Sequence, residues 1–342
     1  MSSWKGDRVN VAVLGAGSWG TALGMQLARC GHRARVWDHQ AQRARSHAEA
    51  RENLQYLPGV AFPDGMDVGA DLAWALEDAG LLLLVVPSQS MREVVTRAMP
   101  HIPAGIPICC AAKGVEQETL MTMDEVLWEL LPGTFHQGIT VLSGPSFAFE
   151  VARDMPTAVV VAGSDADIAH TVAETFHGGH FRVYDSTDVV GVEMGGALKN
   201  IMAIACGICD GAGLGMNARA ALITRGLAEI SRLAVARGAN PMTLGGLAGM
   251  GDLVLTCTGD LSRNRRVGLG LGEGRKLQDI LEDLGQVAEG VVTARSARNL
   301  GRSVGVEMPI TEQMYLMLYE GKPVPEAVRD LMGRQRRREL DH

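Results

Sequence analysis

Short apolar runs and helical patterns alternate along the first half of the chain. Val9–Leu14, Leu81–Val86 and Ile108–Ala112 are nearly continuous apolar runs, which predict strands buried in a sheet. Further short strands are predicted at Ala34–Trp37, Ile139–Leu142, Thr157–Ala162 and Phe181–Tyr184. Helical patterns lie between several of the strands, at Thr21–Arg29, Met121–Leu131 and Asp165–Phe176. The alternation predicts a mostly parallel sheet with helices on both faces.

After about Asp188 the strand pattern stops and long helical segments take its place. These segments are Val189–Cys209, Arg219–Arg237, Leu277–Leu284, Val292–Val304 and Ile310–Tyr319. A chain of 342 residues exceeds what one hydrophobic core usually serves. We therefore predict two domains, a sheet domain over residues 1–190 and an all-helical C-terminal domain over residues 191–342.

Composition and charge narrow the class of protein. The hydrophobic share of 46% and the charged share of 21% are those of an ordinary soluble globular protein. The net charge of −7 argues against nucleic-acid binding, which requires a basic face. The N-terminus has no apolar signal region, and Leu81–Val86 is too short to span a bilayer. We predict a cytoplasmic protein without an integral membrane segment, whose anionic ligands are held by local positive charge.

The cysteines do not indicate disulfides or a metal site. None of the six forms part of a spacing typical of a secreted disulfide framework. Cys206 and Cys209 have C-x-x-C spacing, but there is no second pair, and no histidine with metal-ligand spacing is nearby. We therefore expect neither a zinc nor a redox role for them, and no bound metal.

A glycine motif follows the first predicted strand and opens the first predicted helix. Gly15, Gly17 and Gly20 have G-x-G-x-x-G spacing. In that context Gly15 allows the tight turn, Gly17 lets backbone N–H groups approach a pyrophosphate, and Gly20 lets helix and strand pack closely. The N-terminus of the helix adds partial positive charge. The motif predicts that residues 1–190 form a Rossmann-type dinucleotide-binding domain.

The choice between NAD and NADP is left open by the residues after the second strand. Asp38 lies 18 residues after Gly20, where an acid often binds the ribose 2′-hydroxyl and repels a 2′-phosphate. This slightly favours NAD. However, His39, Arg43 and Arg45 follow at once and would attract a phosphate, so use of both cofactors is compatible with the sequence.

Two lysines are candidates for acid–base chemistry. Lys113 ends a predicted strand, where a surface position at a helix entry and an active-site cation are equally supported. Lys199 lies in a helix of small and apolar residues, which is costly unless the amine snorkels, pairs or functions. Two lysines close together would lower each other's pKa toward neutrality, where a general acid works best.

A hydroxyl and basic cluster follows Asp252 and the apolar run Leu253–Leu255. Its members are Thr256, Thr258, Ser262, Arg263, Asn264, Arg265 and Arg266. A guanidinium fork with amide and hydroxyl donors beside it suits a phosphate dianion. By itself the cluster is more typical of a solvated, arginine-rich surface turn.

Several blocks resemble, in the same order, those of NAD(P)-dependent glycerol-3-phosphate dehydrogenases of the bacterial type. They are GAGSWGTAL, AAKGVE, SGPSFAFE, GGALKNIMAI, ARAALITRGLAE, GDLVLTCTGDLSRN and EMPITE. The resemblance covers nearly the whole chain. It implies reversible hydride transfer between NAD(P)H and dihydroxyacetone phosphate, giving sn-glycerol 3-phosphate for phospholipid synthesis, by a cytoplasmic enzyme that is commonly a homodimer.

The resemblance also implies roles for individual residues. Lys199 corresponds to the proton donor and acceptor, and Lys113 to a cation that binds and polarises the substrate and lies near the cofactor. Asn200, Asp252 and Thr256 correspond to groups that orient Lys199 and the substrate hydroxyls. The remaining substrate contacts implied are Gly144, Ser146, Ser262, Arg263 and Asn264. The cofactor contacts implied, besides the glycines and Asp38, are Ser18, Trp19, His39, Tyr56, Ala148, Arg263, Val287 and Glu289.

Some of these assignments have ordinary structural alternatives. Tyr56 is equally compatible with a packed loop aromatic, and Val287 and Glu289 with helix-entry residues. A 6-phosphogluconate or β-hydroxyacid dehydrogenase also joins a Rossmann-type domain to a helical one, but the block Gly249–Asn264 argues against it. A non-catalytic NAD(P) sensor would need the glycine motif and not Lys113, Lys199 and Asp252 together.

Overall fold

A computed structural model of the chain describes residues 8–285, 288–335 and 338. It divides into two compact units. The first unit comprises the residues up to Lys113 together with Met123–Val192, and the second comprises Gly114–Thr122 together with the residues from Glu193 onward. The assignment of residues 1–190 to the dinucleotide and 191–342 to the substrate stays a prediction.

The first unit contains one eight-stranded sheet in the order β3-β2-β1-β4-β5-β6-β7-β8. Its strands are β1 Asn10–Leu14, β2 Arg33–Trp37, β3 Met66–Gly69, β4 Leu81–Leu84, β5 Ile108–Cys110, β6 Ile139–Ser143, β7 Thr157–Gly163 and β8 Phe181–Ser186. All neighbouring strands are parallel except β6 and β7. The predicted fold class, a mostly parallel Rossmann-type sheet followed by helices, is confirmed.

Seven α-helices accompany this sheet in the described residues. They are α1 Ser18–Arg29, α2 Ala41–Ala50, α3 Leu72–Leu76, α4 Met91–Ala98, α5 Met123–Leu130, α6 Ala148–Ala152 and α7 Ala166–Phe176. Helix α1 begins three residues before its predicted start, because Gly17 is extended and serves as its N-cap. Helix α5 begins at Met123 rather than Met121, since Thr122 instead forms a bridge with Val115.

The carboxyl ends of parallel strands lie at one edge of a sheet, and this edge carries the candidate residues of the first unit. Strand β1 leads into the glycine turn, β2 into Asp38, β5 toward Lys113 and β6 into Gly144. Strands β1 and β4 are neighbours, so the strand order reverses between them. Ligands of open α/β sheets bind at such a reversal.

The second unit is helical throughout its described secondary structure, apart from the short bridge at Val115. Its helices are α8 Val189–Gly211, α9 Met216–Ala236, α10 Pro241–Leu244, α11 Asp252–Thr258, α12 Arg263–Gly272, α13 Leu277–Leu284, α14 Glu289–Ser303, α15 Pro309–Glu320 and α16 Val324–Met332. The cluster after Asp252 is therefore not a surface turn, because most of it is helical in α11 and α12.

Helix α8 is the central element of this unit. It crosses α12 at backbone contact: a Cβ at Gly207 would lie 2.1 Å from the carbonyl oxygen of Arg265, and one at Gly268 would lie 2.0 Å from that of Ile204. With 23 residues, α8 is long and apolar enough to cross a membrane. However, 89% of its most apolar window is buried within the fold, as expected of a core helix.

Glu229, on α9, holds the start of α15 through a buried carboxylate. It accepts hydrogen bonds from the backbone N–H groups of Ile310 (2.8 Å) and Thr311 (2.9 Å) and from the Thr311 hydroxyl (2.7 Å). These N–H groups belong to the first turn of α15, where no intrahelical acceptor exists. Burial raises the pKa of Glu229, while these three hydrogen bonds oppose the rise.

We expect Glu229→Ala to lower the free energy of unfolding by about 3 kcal/mol, because it leaves buried donors unsatisfied. The raised pKa adds a pH dependence. The group favours folding most fully below its unfolded pKa of about 4.3, and this contribution is lost as pH rises through the higher folded pKa. The free energy of unfolding should be measured with denaturant at several pH values for the wild type and for Glu229→Gln. We expect the fall in stability with rising pH that Glu229 causes to be present in the wild type and absent from the variant. Equal slopes in both proteins would contradict the assignment.

Candidate active site

The three glycines of the turn in the first unit have different surroundings. Gly15 has φ +124°, and a Cβ there would lie 2.5 Å from the carbonyl oxygen of Val85. A Cβ at Gly20 would lie 1.8 Å from the carbonyl oxygen of Gly15. At Gly17 a Cβ would meet no heavy atom within 4 Å. The glycines at the two ends are therefore required for close packing, while Gly17 faces open space.

The open side of this turn fits a pyrophosphate. Gly17 is the N-cap of α1 and has no side chain to occupy the first N–H groups of the helix. Ser18 and Trp19 are the first two residues of the helix. Backbone N–H groups at a helix N-terminus, with a glycine in front of them, make an anion site that a Cβ would partly fill. Gly15, Gly17, Ser18, Trp19 and Gly20 are thus brought together in one turn.

Asn53 fixes this turn, and sequence reasoning did not detect it. Its buried side-chain amide donates to the carbonyl oxygen of Ala16 (3.0 Å) and to the hydroxyl of Thr21 (2.8 Å). Its Oδ1 accepts from the backbone N–H of Tyr56 (2.9 Å). The loop that carries Tyr56 is therefore tied to the glycine turn. The partners are 32 and 37 residues distant in sequence, so no local pattern signals the role.

Asp38, the acid predicted to bind the ribose hydroxyl, is paired with an arginine. Its side chain is fully buried, and both oxygens bind the guanidinium of Arg43. Its Oδ1 also accepts from the backbone N–H of Gln40 at 2.9 Å. Tyr56 contacts the same arginine, while the His39 side chain is 61% exposed beside it. Asp38, His39 and Tyr56 thus lie together, around an arginine that the site prediction did not include.

Lys113 and the loop after β6 form a second group at this edge of the sheet. The Lys113 Nζ donates to the carbonyl oxygen of Gly144 at 3.4 Å, and the Ser146 hydroxyl donates to the same oxygen at 2.9 Å. Gly144 has φ +142°, and a Cβ there would lie 2.9 Å from the Cα of Val159. Ala148 begins α6 and packs, partly buried, against the core of this unit.

In the second unit, the buried amine of Lys199 is hydrogen-bonded to two side chains of α11. Its Nζ donates to Oδ1 of Asp252 and to the hydroxyl of Thr256 at 2.8 Å. The Thr256 hydroxyl in turn donates to the backbone carbonyl of Asp252 at 2.6 Å. Lys199 is 7% exposed and Asp252 is 1% exposed. Removing one partner of such a pair leaves an uncompensated buried charge, so the three residues act as a unit.

The backbone explains why these side chains meet. Asp252 and Thr256 are four residues apart on α11 and therefore share one face of the helix. A π-helical turn, Leu247–Gly251, runs directly into α11. One helical turn before Lys199, a Cβ at Gly195 would lie 2.5 Å from the carbonyl oxygen of Ala248. This close approach of α8 to the π-helical turn brings Asp252 within reach of Lys199, and π-helical turns are frequent at functional sites.

Asn200 has a different partner from its neighbour Lys199. Its Oδ1 accepts from Nδ2 of Asn264 at 3.0 Å, and Oδ1 of Asn264 accepts from the backbone N–H of Gly290 at 2.9 Å. Since Gly290 is in the first turn of α14, this network joins α8, α12 and α14. The described contacts therefore place Asn200 with Asn264, not with the lysine that it was predicted to orient.

The N-terminus of α12 presents the predicted phosphate-binding residues. Ser262 is the N-cap, and its hydroxyl accepts from the backbone N–H of Arg265 at 3.2 Å. Arg263 and Asn264 are the first two residues of the helix. Because the Asn264 amide is used in the network above, its contribution to anion binding would come from the main-chain N–H. Arg265 instead pairs with Asp210 at 2.7 Å.

The last two predicted cofactor contacts lie near the start of α14. Glu289 is the first residue of that helix. Val287 lies outside the described residues, so the structure says nothing of it.

The cysteines of the described residues are all free thiols. Cys206 and Cys209 are buried free thiols within α8. Burial raises the pKa of Cys109 to about 12, which makes it unreactive. Among the described residues, no group of three or more histidine, cysteine or acidic side chains is placed to hold a metal ion.

Two family models match consecutive segments of the chain. A family model for the N-terminus of NAD-dependent glycerol-3-phosphate dehydrogenase matches residues 10–169, and one for the C-terminus matches residues 188–329. A curated relative named glycerol-3-phosphate dehydrogenase [NAD(P)+], from Anaeromyxobacter dehalogenans, is 55% identical over 97% of this chain and 100% of its own length. A relative with the same name from Geobacter sulfurreducens is 52% identical over 95% of this chain and 97% of its own length.

Solved structures agree with these matches. A crystal structure of glycerol-3-phosphate dehydrogenase from Coxiella burnetii is 43% identical, with a TM-score of 0.91 over 96% of this chain and 99% of that one. A D-mandelate dehydrogenase has a TM-score of 0.61 at 14% identity, over 92% of this chain and 97% of that one. A likeness of the second kind shows the fold alone.

Proposed function

Because the chain belongs to the NAD-dependent glycerol-3-phosphate dehydrogenase family, we propose that it interconverts dihydroxyacetone phosphate and sn-glycerol 3-phosphate with NAD or NADP. The observation that carries this proposal is the buried unit of Lys199, Asp252 and Thr256. A buried amine in a fixed hydrogen-bond geometry can exchange a proton with a substrate oxygen. The block around Asp252 also argued against the hydroxyacid dehydrogenases.

Lys199 is assigned to the oxygen on C2 of the substrate. A nicotinamide ring, when bound, supplies or accepts the hydride at C2. In the reducing direction Lys199 gives a proton to the oxygen, so that the carbonyl becomes a hydroxyl. In the oxidising direction it takes that proton back. Asp252 and Thr256 hold the Nζ in one position, which lowers the entropic cost of reaching the transition state.

The remaining residues bind and orient the substrate. Lys113 is assigned to the same oxygen, where its positive charge stabilises the charge that develops during reduction. Ser262, Arg263 and the N-terminus of α12 are assigned to the phosphate, since the positive end of a helix dipole and a guanidinium both suit a dianion. Gly144 and Ser146, which follow β6, are assigned as further substrate contacts.

The family resemblance also supports a proposal for the wider setting. We place the protein in the cytoplasm, as a homodimer whose product enters glycerophospholipid synthesis. Its ligands are small molecules, and we assign it neither nucleic acid nor a membrane as a partner.

The test of the function is a loss of reduced-nicotinamide absorbance on addition of dihydroxyacetone phosphate, measured with NADH and with NADPH in parallel. We expect oxidation with at least one cofactor, and production of sn-glycerol 3-phosphate in equal amount. A folded protein that binds both cofactors but oxidises neither would overturn the substrate assignment. A panel of 6-phosphogluconate and β-hydroxyacids would then distinguish another dehydrogenase from a cofactor sensor.

A further inference from the structure

One arginine covers the acid at the end of β2. The guanidinium of Arg43 donates from Nε to Oδ2 of Asp38 and from Nη2 to Oδ1, both at 2.6 Å. The Asp38 side chain is 0% exposed, and that of Arg43 is 12% exposed. Two parallel charge-assisted bonds are the strongest geometry of an arginine–carboxylate pair. The negative charge of Asp38 is thus neutralised by the guanidinium of Arg43.

The guanidinium is held on its other side as well. Its Nη1 donates to the hydroxyl of Tyr56 at 3.1 Å, and its Cζ lies 5.2 Å from the centroid of the Tyr56 ring. Nη2 lies 3.5 Å from Nδ1 of His39. The hydrogen bond to Asp38 raises the pKa of Arg43 further, so it stays charged. These contacts fix Arg43 beside Asp38.

We propose that Arg43 is a specificity-determining residue: it masks Asp38 and thereby lets the adenosine end of the site accept a 2′-phosphate as well as a 2′-hydroxyl. An uncovered carboxylate after the second strand favours NAD, because it binds the ribose hydroxyl and repels the phosphate. Here both oxygens of that carboxylate are occupied by the guanidinium of Arg43. The inference rests on the proposed function, since it assumes that a nicotinamide dinucleotide binds with its adenosine ribose near Asp38.

The consequence is a specific change in cofactor preference when Arg43 is removed. In Arg43→Ala the carboxylate of Asp38 is uncovered, and the ratio of kcat/KM for NADPH to that for NADH should fall at least about tenfold. Direct binding gives a second readout: the Kd of adenosine 2′,5′-bisphosphate should rise by at least about the same factor, and that of 5′-AMP should change little. Arg329→Ala is the matched control, because Arg329 is an exposed arginine on α16, a helix to which no ligand contact is assigned.

A second substitution, at Asp38, distinguishes masking by Arg43 from a merely structural role of Arg43. If Arg43 acts by masking Asp38, then adding Asp38→Asn to Arg43→Ala should restore most of the lost ratio, since no uncovered charge remains. An unchanged ratio in Arg43→Ala, or a loss that Asp38→Asn leaves as it was, would overturn the proposal. Retained 5′-AMP binding and an unchanged circular dichroism spectrum show that each variant is folded.

The two proposals fail in different measurements. The nucleotide fragments are titrated without dihydroxyacetone phosphate, so their Kd ratio does not depend on the reaction. Absent turnover with a shifted Kd ratio would overturn the function and leave the role of Arg43 standing. Normal turnover with an unshifted Kd ratio would overturn the role of Arg43 and leave the function standing.

Discussion

Lys199→Ala is expected to lower kcat by at least about 10³-fold while the Kd for the cofactor changes little. General acid–base catalysis alone contributes about 10²–10⁴-fold, and the amine also stabilises charge at the reacting oxygen. The glycine turn that is predicted to bind the dinucleotide belongs to the other unit of the chain. Steady-state rates, together with cofactor titration by fluorescence, check both halves of this expectation.

The variant leaves Asp252 buried without its ammonium partner, which costs stability. The double variant Lys199→Met, Asp252→Asn therefore serves as a second test, because it removes the charge pair together. Lys322→Ala is the matched control: it also removes the lysine of a lysine–aspartate pair, with Asp330, but at a site where Asp330 is 54% exposed. Undiminished turnover in either folded Lys199 variant would remove this residue from the mechanism.

The strands were predictable where burial alone decides their sequence. Strand β4 consists of four leucines that are each at most 1% exposed, so its apolar run could hardly be mistaken. Strand β3 was missed, since its four residues include Asp67 and Gly69 and only Met66 is buried. Helix α2 was missed for a related reason: only Ala44 and His47 are buried, so the helix carries almost no apolar stripe. Weakly buried elements leave little trace in the sequence.

The candidate site shows the same limit at the level of single residues. Lys199 was selected by its apolar surroundings and Asp252 through the family resemblance, and the two side chains do meet. The π-helical turn that allows this contact has no local signature. The bond between Arg43 and Asp38 crosses only five residues, yet the prediction treated the two charges as competitors for the ribose. Which charge faces the ligand depends on side-chain packing, and pattern alone does not determine that.

Arg263→Ala is expected to raise KM for dihydroxyacetone phosphate about 10- to 100-fold, because a hydrogen bond to a charged group is worth about 1.5–3 kcal/mol. Arg263 stands at the first position of α12, where the helix end adds its own attraction for a dianion. Dihydroxyacetone, which lacks the phosphate, should lose far less in kcat/KM, since the guanidinium has nothing to bind in it. The ratio of the two substrates therefore isolates the phosphate from every effect on the carbonyl end.

The control for this comparison lies on the same helix. Arg266→Ala removes an exposed arginine from α12 and changes the net charge by the same amount, so it measures the long-range electrostatic contribution. We expect that contribution to be small and to disappear with added salt, whereas the loss in Arg263→Ala persists. Equal losses for the phosphorylated and phosphate-free substrates in Arg263→Ala would show that Arg263 acts on the cofactor or the fold, and the phosphate would then have to be assigned to Ser262 and the helix end alone.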